Sequence, residues 1–294
     1  MNTRDIRFPS NRVRDILQCF HQDLDPLYGP REVDAFCELL FAHFLGWDRV
    51  KLLLSKAETI DQSDLLRLHW ALDGLRRHRP VQHITGQTLF CGCTIAVNPD
   101  VLIPRPETEE MVQWCIAEAG PLAAGSRILD ACTGSGCIAI ALKRAFPQAE
   151  VSALDRSEAA LAMARQNAEN NCVAIEFRQV DLLAGAPGYA EGAFSLLVSN
   201  PPYVLERERA AMSPNVLEYE PSEALFVPDS RPLLFYEALA ALGRRLLHRG
   251  GLMVVEINEM YGDECRQLLD ASGYQAAVHS DFRGRPRWVS ARLE

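Results

Sequence analysis

The sequence predicts an α/β fold, in which a doubly wound and mostly parallel sheet follows a small N-terminal helical bundle. From Arg127 onward, short apolar segments alternate with helical segments, as in a parallel sheet covered by helices. Before residue 80, apolar side chains recur at steps of three and four, which indicates amphipathic helices. The 294 residues fit about two domains, and a hydrophobic content of 48% suffices for a sizeable core.

Two amphipathic helices are predicted in the N-terminal part. The first ends at Gly46 and has side chains at helical spacing in Asp34, Cys37, Leu40, Phe41 and Phe44. The second runs from Asp61 to Arg79, with Asp61 or Ser63 as its cap, and places on one face Leu65, Leu68, Leu72 and Leu75. Residues 1–80 contain no catalytic cluster, so we expect a helical module for substrate recognition or packing.

Residues 81–108 are predicted to link this bundle to the second domain. Pro80 closes the bundle, and Gln82–Val97 alternates small, aromatic and β-branched residues, which favours a β-hairpin. The prolines of Ile103–Thr108 then restrict the backbone just before a helix that starts near Thr108.

Residues 109–294 are predicted to form the sheet domain. One helix is expected to follow the first strand and its glycine loop and to reach about Phe146, and a second is expected from Ser157 to about Asn170. The strands, the first five of them short and buried, are expected at Ile128–Leu129, Val151–Leu154, Ile175–Val180, Phe194–Ser199, Leu252–Ile257, Gln275–His279 and Trp288–Ala291.

Charge and hydropathy exclude several classes of protein. The first 88 residues hold 12 basic and 12 acidic side chains, so the rest of the chain carries 18 of the 30 basic and 27 of the 39 acidic residues. This acidic second part argues against a direct, specific nucleic-acid interface, which normally forms a basic face. The sequence contains no run of 18 or more apolar residues, so we expect no membrane span. The polar stretch Met1–Ser10 lacks the apolar segment of a secretory signal.

The cysteines and histidines predict neither a disulfide framework nor a metal site. The nine cysteines form no CxxC pair, and Cys91 with Cys93 makes a single CxC, which is too little for zinc without nearby partners. The seven histidines form no HExxH motif. We therefore expect reduced thiols, a cytoplasmic protein and no metal ion.

A glycine-rich loop marks a candidate cofactor site. Asp130-Ala-Cys-Thr-Gly-Ser-Gly136 lies where a predicted strand turns into a helix, and its glycines allow a ligand to approach the main chain closely. No GKS or GKT follows, which excludes a P-loop. Asp155 ends the second strand, where a carboxylate can accept hydrogen bonds from ribose hydroxyls. Asp181 ends the third and can reach the amine of an adenine ring. Each aspartate alone is equally compatible with a cap or turn, but the ordered set favours a cofactor.

The tetrapeptide Asn200-Pro201-Pro202-Tyr203 follows a predicted strand and favours methyl transfer to a planar NH2 group. An amide nitrogen is a poor nucleophile because its lone pair is delocalised. The Asn200 side-chain oxygen and the Pro201 carbonyl can accept its hydrogen bonds and orient the lone pair, while the two prolines stiffen the loop. Tyr203 offers a flat face to the planar group. Catalysis then depends on positioning rather than on a strong general base.

These motifs resemble those of the glutamine methyltransferases that modify peptide-chain release factors, the HemK/PrmC type. The resemblance covers most of the chain and depends on Ile103–Glu109 (IPRPETE), CTGSG, NPPY, Asn215–Pro221 (NVLEYEP), Ala224–Phe226 and Glu256–Asn258. It implies a Rossmann-like methyltransferase sheet, mostly parallel with one antiparallel strand, and S-adenosylmethionine as cofactor. The implied reaction methylates the side-chain amide nitrogen of the glutamine in the Gly-Gly-Gln motif of release factors.

The resemblance also implies roles for individual residues. NPPY would hold the substrate glutamine, with Asn200 touching both substrate and cofactor. The implied cofactor-binding residues are Asp130, Cys132, Thr133, Gly134, Ser135, Gly136, Asp155, Asp181, Leu182 and Asn200. Cys132 departs from the usual glycine, and a side chain fits there if the backbone φ is negative. Arg105, Glu107 and Thr108 either frame the pocket as substrate-binding residues or cap the helix and pair with each other.

Three alternatives remain open at this point. The sister family that methylates a ribosomal protein often has a cysteine at the position of Cys132, although Arg105-Pro106-Glu107-Thr108 in the linker favours release factors. An adenine amino-methyltransferase of nucleic acids can share NPPY, but it would need phosphate-binding residues, and the second part of the chain is acidic. A binding module that keeps the fold without turnover is disfavoured because both motifs are intact.

Overall fold

The computed structural model describes residues 8–185 and 188–294. Most of the polar stretch Met1–Ser10, for which no signal was expected, lies outside the described residues. The chain forms two compact units. The helical unit comprises Met1–Gly86 and Pro214–Tyr219, and the sheet unit comprises Gln87–Ser213 and Glu220–Glu294.

Helices and strands follow one another along the described chain in the predicted pattern. The α-helices are α1 (Val13–Tyr28), α2 (Pro30–Leu45), α3 (Arg49–Leu54), α4 (Gln62–Arg76), α5 (Val81–Thr85), α6 (Pro106–Ala119), α7 (Cys137–Ala145), α8 (Glu158–Asn170), α9 (Pro214–Leu217), α10 (Leu234–Leu246) and α11 (Gly262–Ala271). The strands are β1 (Gln87–Phe90), β2 (Cys93–Ala96), β3 (Arg127–Ala131), β4 (Glu150–Asp155), β5 (Glu176–Gln179), β6 (Phe194–Ser199), β7 (Val204–Leu205), β8 (Phe226–Val227), β9 (Leu247–Glu256), β10 (Tyr274–Ser280) and β11 (Pro286–Leu293).

The helical unit contains both predicted amphipathic helices. Helix α2 ends at Leu45 and is capped by Gly46, whose φ of 68° is the left-handed conformation that glycine tolerates. The Gly46 amide donates a hydrogen bond to the Ala42 carbonyl. In α4 the four leucines of the predicted face are buried. The Asp61 carboxylate caps this helix by accepting a hydrogen bond of 2.8 Å from the Asp64 amide.

The predicted hairpin is shorter than expected at its N-terminal end. Residues 81–85 form α5 instead of a strand, because Pro80 suits the start of a helix and its carbonyl accepts hydrogen bonds from the amides of His83 and Ile84. The hairpin itself is β1 and β2, joined by Cys91 and Gly92, both with positive φ. Helix α6 begins at Pro106, two residues before the expected start, since proline suits the first helical turn.

The sheet unit is built on seven strands in the order β10-β11-β9-β6-β3-β4-β5. The sheet is parallel except for β11, which pairs antiparallel with both neighbours, so the single antiparallel strand is confirmed. Apolar side chains of α6, α7 and α8 pack into a core on one face. Those of α10 and α11 pack into a core on the other. The sheet is therefore doubly wound.

Strand β5 differs from its prediction because its side chains are half-buried or exposed. It lies at the edge of the sheet, and within the described ranges it pairs with β4 alone and has no strand on its outer side. At the centre of the sheet, β3 lies between β4 and β6, and the direction of strand order reverses there. Ligands of doubly wound sheets bind beyond the carboxyl ends of the strands at such a switch point.

Candidate active site

Asp130 lies in β3 and holds the glycine loop from behind. Its Oδ2 accepts hydrogen bonds of 2.5 Å from the Thr133 hydroxyl and 3.1 Å from the Ala139 amide. Its Oδ1 has no hydrogen-bond partner within residues 8–185 and 188–294. Because the carboxyl group is fully buried, desolvation raises the pKa of Asp130 to about 7. This side chain supports the loop and does not line the cavity in front of it.

Three residues of the loop have positive φ, namely Cys132, Gly134 and Gly136. A Cβ atom at Gly136 would lie 3.0 Å from Cβ of Ala164, so the loop packs tightly against α8 there. The requirement of a negative φ at Cys132 was wrong, since its φ is 59°. The backbone of Cys132 adopts the left-handed conformation, and its side chain packs against the core formed by Leu205, Val227 and Phe235.

Asp155 ends β4 and faces the cavity. Its Oδ2 accepts a hydrogen bond of 2.8 Å from the Gly134 amide, and its Oδ1 accepts one of 2.9 Å from the Ser157 amide. Burial raises the pKa of the Asp155 carboxyl group, and the amide hydrogen bonds oppose that rise. Asp181 is exposed two residues beyond the end of β5, where its Oδ1 accepts from the Leu183 amide.

These loops surround a cavity of about 310 Å³ at the carboxyl ends of β3, β4 and β6. Most of the residues expected from the sequence line it, namely Arg105, Thr108, Cys132, Thr133, Gly134, Ser135, Asp155, Asp181, Leu182, Asn200 and Pro202. Five do not, namely Asp130, Gly136, Glu107, Pro201 and Tyr203. The sequence motifs thus come together at one site, and the five residues that do not line the cavity lie beside it or behind its wall.

Asn200 directly follows β6, and the last side chain of β6 links this strand to the end of β3. The Ser199 hydroxyl donates a hydrogen bond of 2.7 Å to the Ala131 carbonyl at the end of β3. The Asn200 amide nitrogen Nδ2 donates one of 3.1 Å to the Thr108 hydroxyl. Pro201 and Pro202 are buried, so the loop has little room to move.

A buried carboxylate that sequence reasoning did not assign, Glu256, lies beside this loop. Its Oε2 accepts a hydrogen bond of 2.6 Å from the Thr108 hydroxyl, and its Oε1 accepts one of 2.9 Å from the Tyr203 hydroxyl. The residue is 1% exposed, and burial raises the pKa of its carboxyl group. The only signal in the sequence was its place at the end of an apolar strand, where Glu256–Asn258 formed part of the family resemblance.

A second carboxylate that was not assigned, Glu220, holds the linker. Its Oε1 accepts a hydrogen bond of 2.6 Å from the Arg105 guanidinium group, and its Oε2 accepts one of 3.0 Å from the Ile103 amide. The Glu220 side chain is 1% exposed and that of Arg105 is 32% exposed. Arg105 therefore pairs with Glu220 rather than with Glu107, whose side chain is half-buried in the first turn of α6.

Asn258 supports the segment that follows NPPY. Its Nδ2 donates hydrogen bonds to the Tyr203 carbonyl at 3.3 Å and to the Glu208 carboxylate at 2.9 Å. The same Glu208 carboxylate accepts a hydrogen bond of 2.7 Å from the Leu205 amide. The main chain from the Tyr203 carbonyl to the Leu205 amide is consequently restrained.

The described part of the chain shows neither a cluster of metal ligands nor a membrane-spanning helix. Residues 8–185 and 188–294 contain no group of three or more histidine, cysteine, aspartate or glutamate side chains arranged to hold a metal ion. No helix in these ranges has the length and apolar character needed to cross a membrane.

Comparisons with known proteins assign both parts of the chain. Residues 16–86 match the family model of the PrmC N-terminal domain, and residues 115–218 match that of the methyltransferase small domain. A release factor-specific protein-(glutamine-N5) methyltransferase from Alicyclobacillus acidocaldarius is 28% identical. That alignment covers 67% of this chain and 98% of the other, and its TM-score of 0.41 is too low to add to the fold assignment.

Curated relatives give longer alignments. The release factor glutamine methyltransferase of Flavobacterium psychrophilum is 39% identical over 277 residues, covering 93% of this chain and 96% of the relative. That of Bacteroides thetaiotaomicron is 41% identical over 271 residues, covering 92% and 96%. Identity at this level over nearly the whole of both chains shows that the protein belongs to the release factor glutamine methyltransferase family.

Proposed function

We propose that the protein transfers a methyl group from S-adenosylmethionine to the side-chain amide nitrogen of the glutamine in the Gly-Gly-Gln motif of a peptide-chain release factor. The observation that carries this proposal is the orientation of Asn200. Its Nδ2 is engaged by Thr108, so its Oδ1 is the atom left to accept a hydrogen bond from a substrate NH2 group. Family membership supports the same substrate.

The cavity has the chemistry that S-adenosylmethionine requires. The carboxylates of Asp155 and Asp181 suit the ribose hydroxyls and the adenine amine, and Leu182 and Phe235 offer apolar surface to the adenine ring. Gly134 allows the ligand close to the main chain. Bound S-adenosylmethionine supplies a methyl group on a positively charged sulfur, which the surrounding carboxylates favour.

The residues of NPPY act by positioning the acceptor nitrogen. We propose that Asn200 Oδ1 accepts a hydrogen bond from one N–H group of the substrate amide and that the carbonyl of Pro201, beside the cavity wall, accepts from the other. These two hydrogen bonds turn the lone pair of the amide nitrogen towards the methyl group. The nitrogen loses a proton to solvent after it has gained the methyl group and its positive charge, so a strong base is not required. Holding the reactants in line supplies most of the rate enhancement.

We propose that the helical unit docks the body of the release factor. Its described part carries large apolar side chains in contact with solvent, among them Leu54, 81% exposed on α3, and Trp70, 57% exposed on α4. Changing each to serine is expected to raise KM for the whole release factor and to leave KM for a short Gly-Gly-Gln peptide unchanged. Equal effects on both substrates would contradict a docking role.

The proposed reaction is tested with labelled S-adenosylmethionine and purified release factor, using wild-type enzyme and Asn200→Ala side by side. Label is expected on the Gly-Gly-Gln glutamine with wild type and absent with the variant. The matched control is Asn170→Ala, at the exposed end of α8. Transfer to a ribosomal protein instead would support the sister activity that Cys132 suggests. Transfer to adenine in DNA would overturn the protein substrate. We further propose that the reaction takes place in the cytoplasm, where release factors act.

A further inference from the structure

Four side chains at the active site form one continuous hydrogen-bonded chain. Asn200 donates to Thr108, Thr108 donates to Glu256, and Tyr203 donates to the other oxygen of the same carboxylate. The chain joins the first turn of α6, the end of β9 and both ends of NPPY. Asn200 and Thr108 line the cavity, whereas Glu256 and Tyr203 lie behind it.

The chemistry of the carboxylate determines the direction of every hydrogen bond in this chain. An ionised carboxylate only accepts hydrogen bonds, so the single hydroxyl proton of Thr108 points to Glu256. The Thr108 oxygen then has only lone pairs to offer Asn200. The Asn200 side chain must therefore turn its NH2 group towards Thr108 and its Oδ1 away from it.

Glu256 is buried, and its surroundings contain one cation and two hydrogen-bond donors that favour the ionised carboxylate. Burial has the largest effect and raises the pKa of Glu256, and Glu107 adds to that rise, while Arg287 is near enough to favour the charged form. The Arg287 side chain is 16% exposed and pairs with Asp281 at 3.4 Å. Hydrogen bonds from Thr108 and Tyr203 satisfy one lone pair on each Glu256 oxygen, which offsets part of the desolvation cost.

We propose that Glu256 is a positioning residue, which acts through Thr108 to fix the Asn200 amide with its oxygen towards the substrate. This inference builds on the proposed function. If the hydroxyl of Thr108 is released, it can donate to Asn200 Oδ1, and the amide can turn over. The NH2 group of Asn200 would then face the NH2 group of the substrate, two donors with no acceptor between them. Oriented hydrogen bonds of this kind support the residues that contact a reacting group.

Kinetics of Glu256→Gln test the proposal. A glutamine has nearly the same shape but donates from one side, so it cannot accept from both Thr108 and Tyr203. We expect kcat with release factor to fall about 10- to 100-fold, with KM for S-adenosylmethionine unchanged. Glu264→Gln, the same change at an exposed position on α11 outside this network, is the matched control and is expected to behave as wild type. A wild-type kcat for Glu256→Gln would overturn the proposal.

Two changes at Thr108 test the connection without altering a buried charge, in case Glu256→Gln does not fold. Thr108→Ser keeps the hydroxyl and is expected to retain kcat. Thr108→Val keeps the shape but removes the hydroxyl, and is expected to reproduce the loss seen in Glu256→Gln. The double variant Thr108→Val with Glu256→Gln is expected to be no slower than the slower single variant, because both break the same connection. The proposal would be refuted if the losses of kcat in the two single variants multiplied in the double variant, or if Thr108→Val kept the wild-type kcat.

A spectroscopic measurement separates this inference from the proposed substrate. The Asn200 side-chain NH2 resonance in 15N-labelled protein is assigned by its absence in Asn200→Ala. In wild type the hydrogen bond to Thr108 is expected to slow its exchange with water, and in Glu256→Gln that protection is expected to be lost. The proposal fails if protection is equal in both proteins. The result does not depend on which molecule is methylated, so failure of the proposed function would leave it interpretable.

Discussion

The main-chain amide of Gly134 donates a hydrogen bond of 2.8 Å to Oδ2 of Asp155. Asp155 is therefore held from two sides, since the Ser157 amide binds its other oxygen. The glycine loop after β3 and the end of β4 are joined by the same carboxylate that faces the cavity. A ligand that binds there meets an acceptor whose orientation is already set.

Asp155→Asn is expected to weaken binding of S-adenosylmethionine. The amide has one acceptor oxygen in place of two and carries no charge, and hydrogen bonds to charged groups contribute about 1.5–3 kcal/mol. The dissociation constant is therefore expected to rise on the order of 10- to 100-fold, measured by isothermal titration calorimetry. Asp263→Asn, at a largely exposed position on α11, serves as control. Unchanged affinity in Asp155→Asn would show that the carboxylate does not contact the cofactor.

Gly136→Ala is expected to reduce the free energy of unfolding more than Gly134→Ala does, whereas Gly134→Ala is expected to reduce cofactor affinity more. Both glycines have positive φ, which costs an alanine about 1–2 kcal/mol. At Gly136 the new methyl group also meets Ala164 at 3.0 Å, whereas nothing lies within 4 Å of the one at Gly134. Gly136→Ala should thus lose more free energy of unfolding in urea denaturation. Gly134 lines the cavity and Gly136 does not, so Gly134→Ala should weaken cofactor binding more.

Asp130→Asn is expected to change how stability depends on pH. The Asp130 pKa is about 7 in the folded protein and 3.8 as the ordinary value, so the folded state keeps a proton that the unfolded chain has lost. The stability that Asp130 contributes is full below pH 3.8 and is lost as pH rises through about 7. Over this range the loss is on the order of 4 kcal/mol.

Asparagine does not titrate, so the comparison isolates this single group. The free energy of unfolding of cofactor-free Asp130→Asn, relative to wild type, should increase between pH 5 and pH 8. A constant cost of the substitution, such as an amide group without a partner, shifts both values equally and does not affect this difference. Parallel pH profiles for the two proteins would show that Asp130 titrates normally.

Arg105→Met is expected to destabilise the protein by about 1–3 kcal/mol, because it leaves the Glu220 carboxylate buried without its cation. The value is below that of a fully buried pair, since Arg105 is about one-third exposed. Adding Glu220→Gln should restore part of the loss, as the uncharged oxygen can still accept from the Ile103 amide. The exposed pair Arg292 and Glu118 gives the control, where Arg292→Met should cost little. No recovery in the double variant would contradict the prediction.

Local signals in the sequence predicted much of the fold. Phe194–Ser199 was predicted with its observed bounds, because the apolar run Leu196–Val198 stops at Ser199 and two prolines, which cannot continue a strand, follow Asn200. Residues 82–85 were assigned to the hairpin because the five residues of α5 are too few to show a helical period. The exposed edge position of β5 depends on the order of strands, which no local pattern contains.

The parts of the site that escaped prediction are those made by distant residues. The sequence separation is 148 residues between Thr108 and Glu256, and 115 between Arg105 and Glu220. A glutamate at the end of an apolar strand looks like an ordinary boundary until the fold brings a hydroxyl group to it. The prediction of a negative φ at Cys132 was wrong for another reason. Its left-handed backbone is imposed by the loop, against the intrinsic preference of the residue.

The segment Pro214–Tyr219 groups with the helical unit although it lies within the sequence of the sheet unit. There the Tyr219 hydroxyl donates a hydrogen bond of 2.7 Å to the Arg77 carbonyl. The helical unit is consequently not a removable extension, and a chimera joined only at residue 86 would combine a new bundle with the old Tyr219. Exchange of helical units between members of the family therefore requires two grafts, one at each stretch of chain, and the two must be chosen as a matched pair.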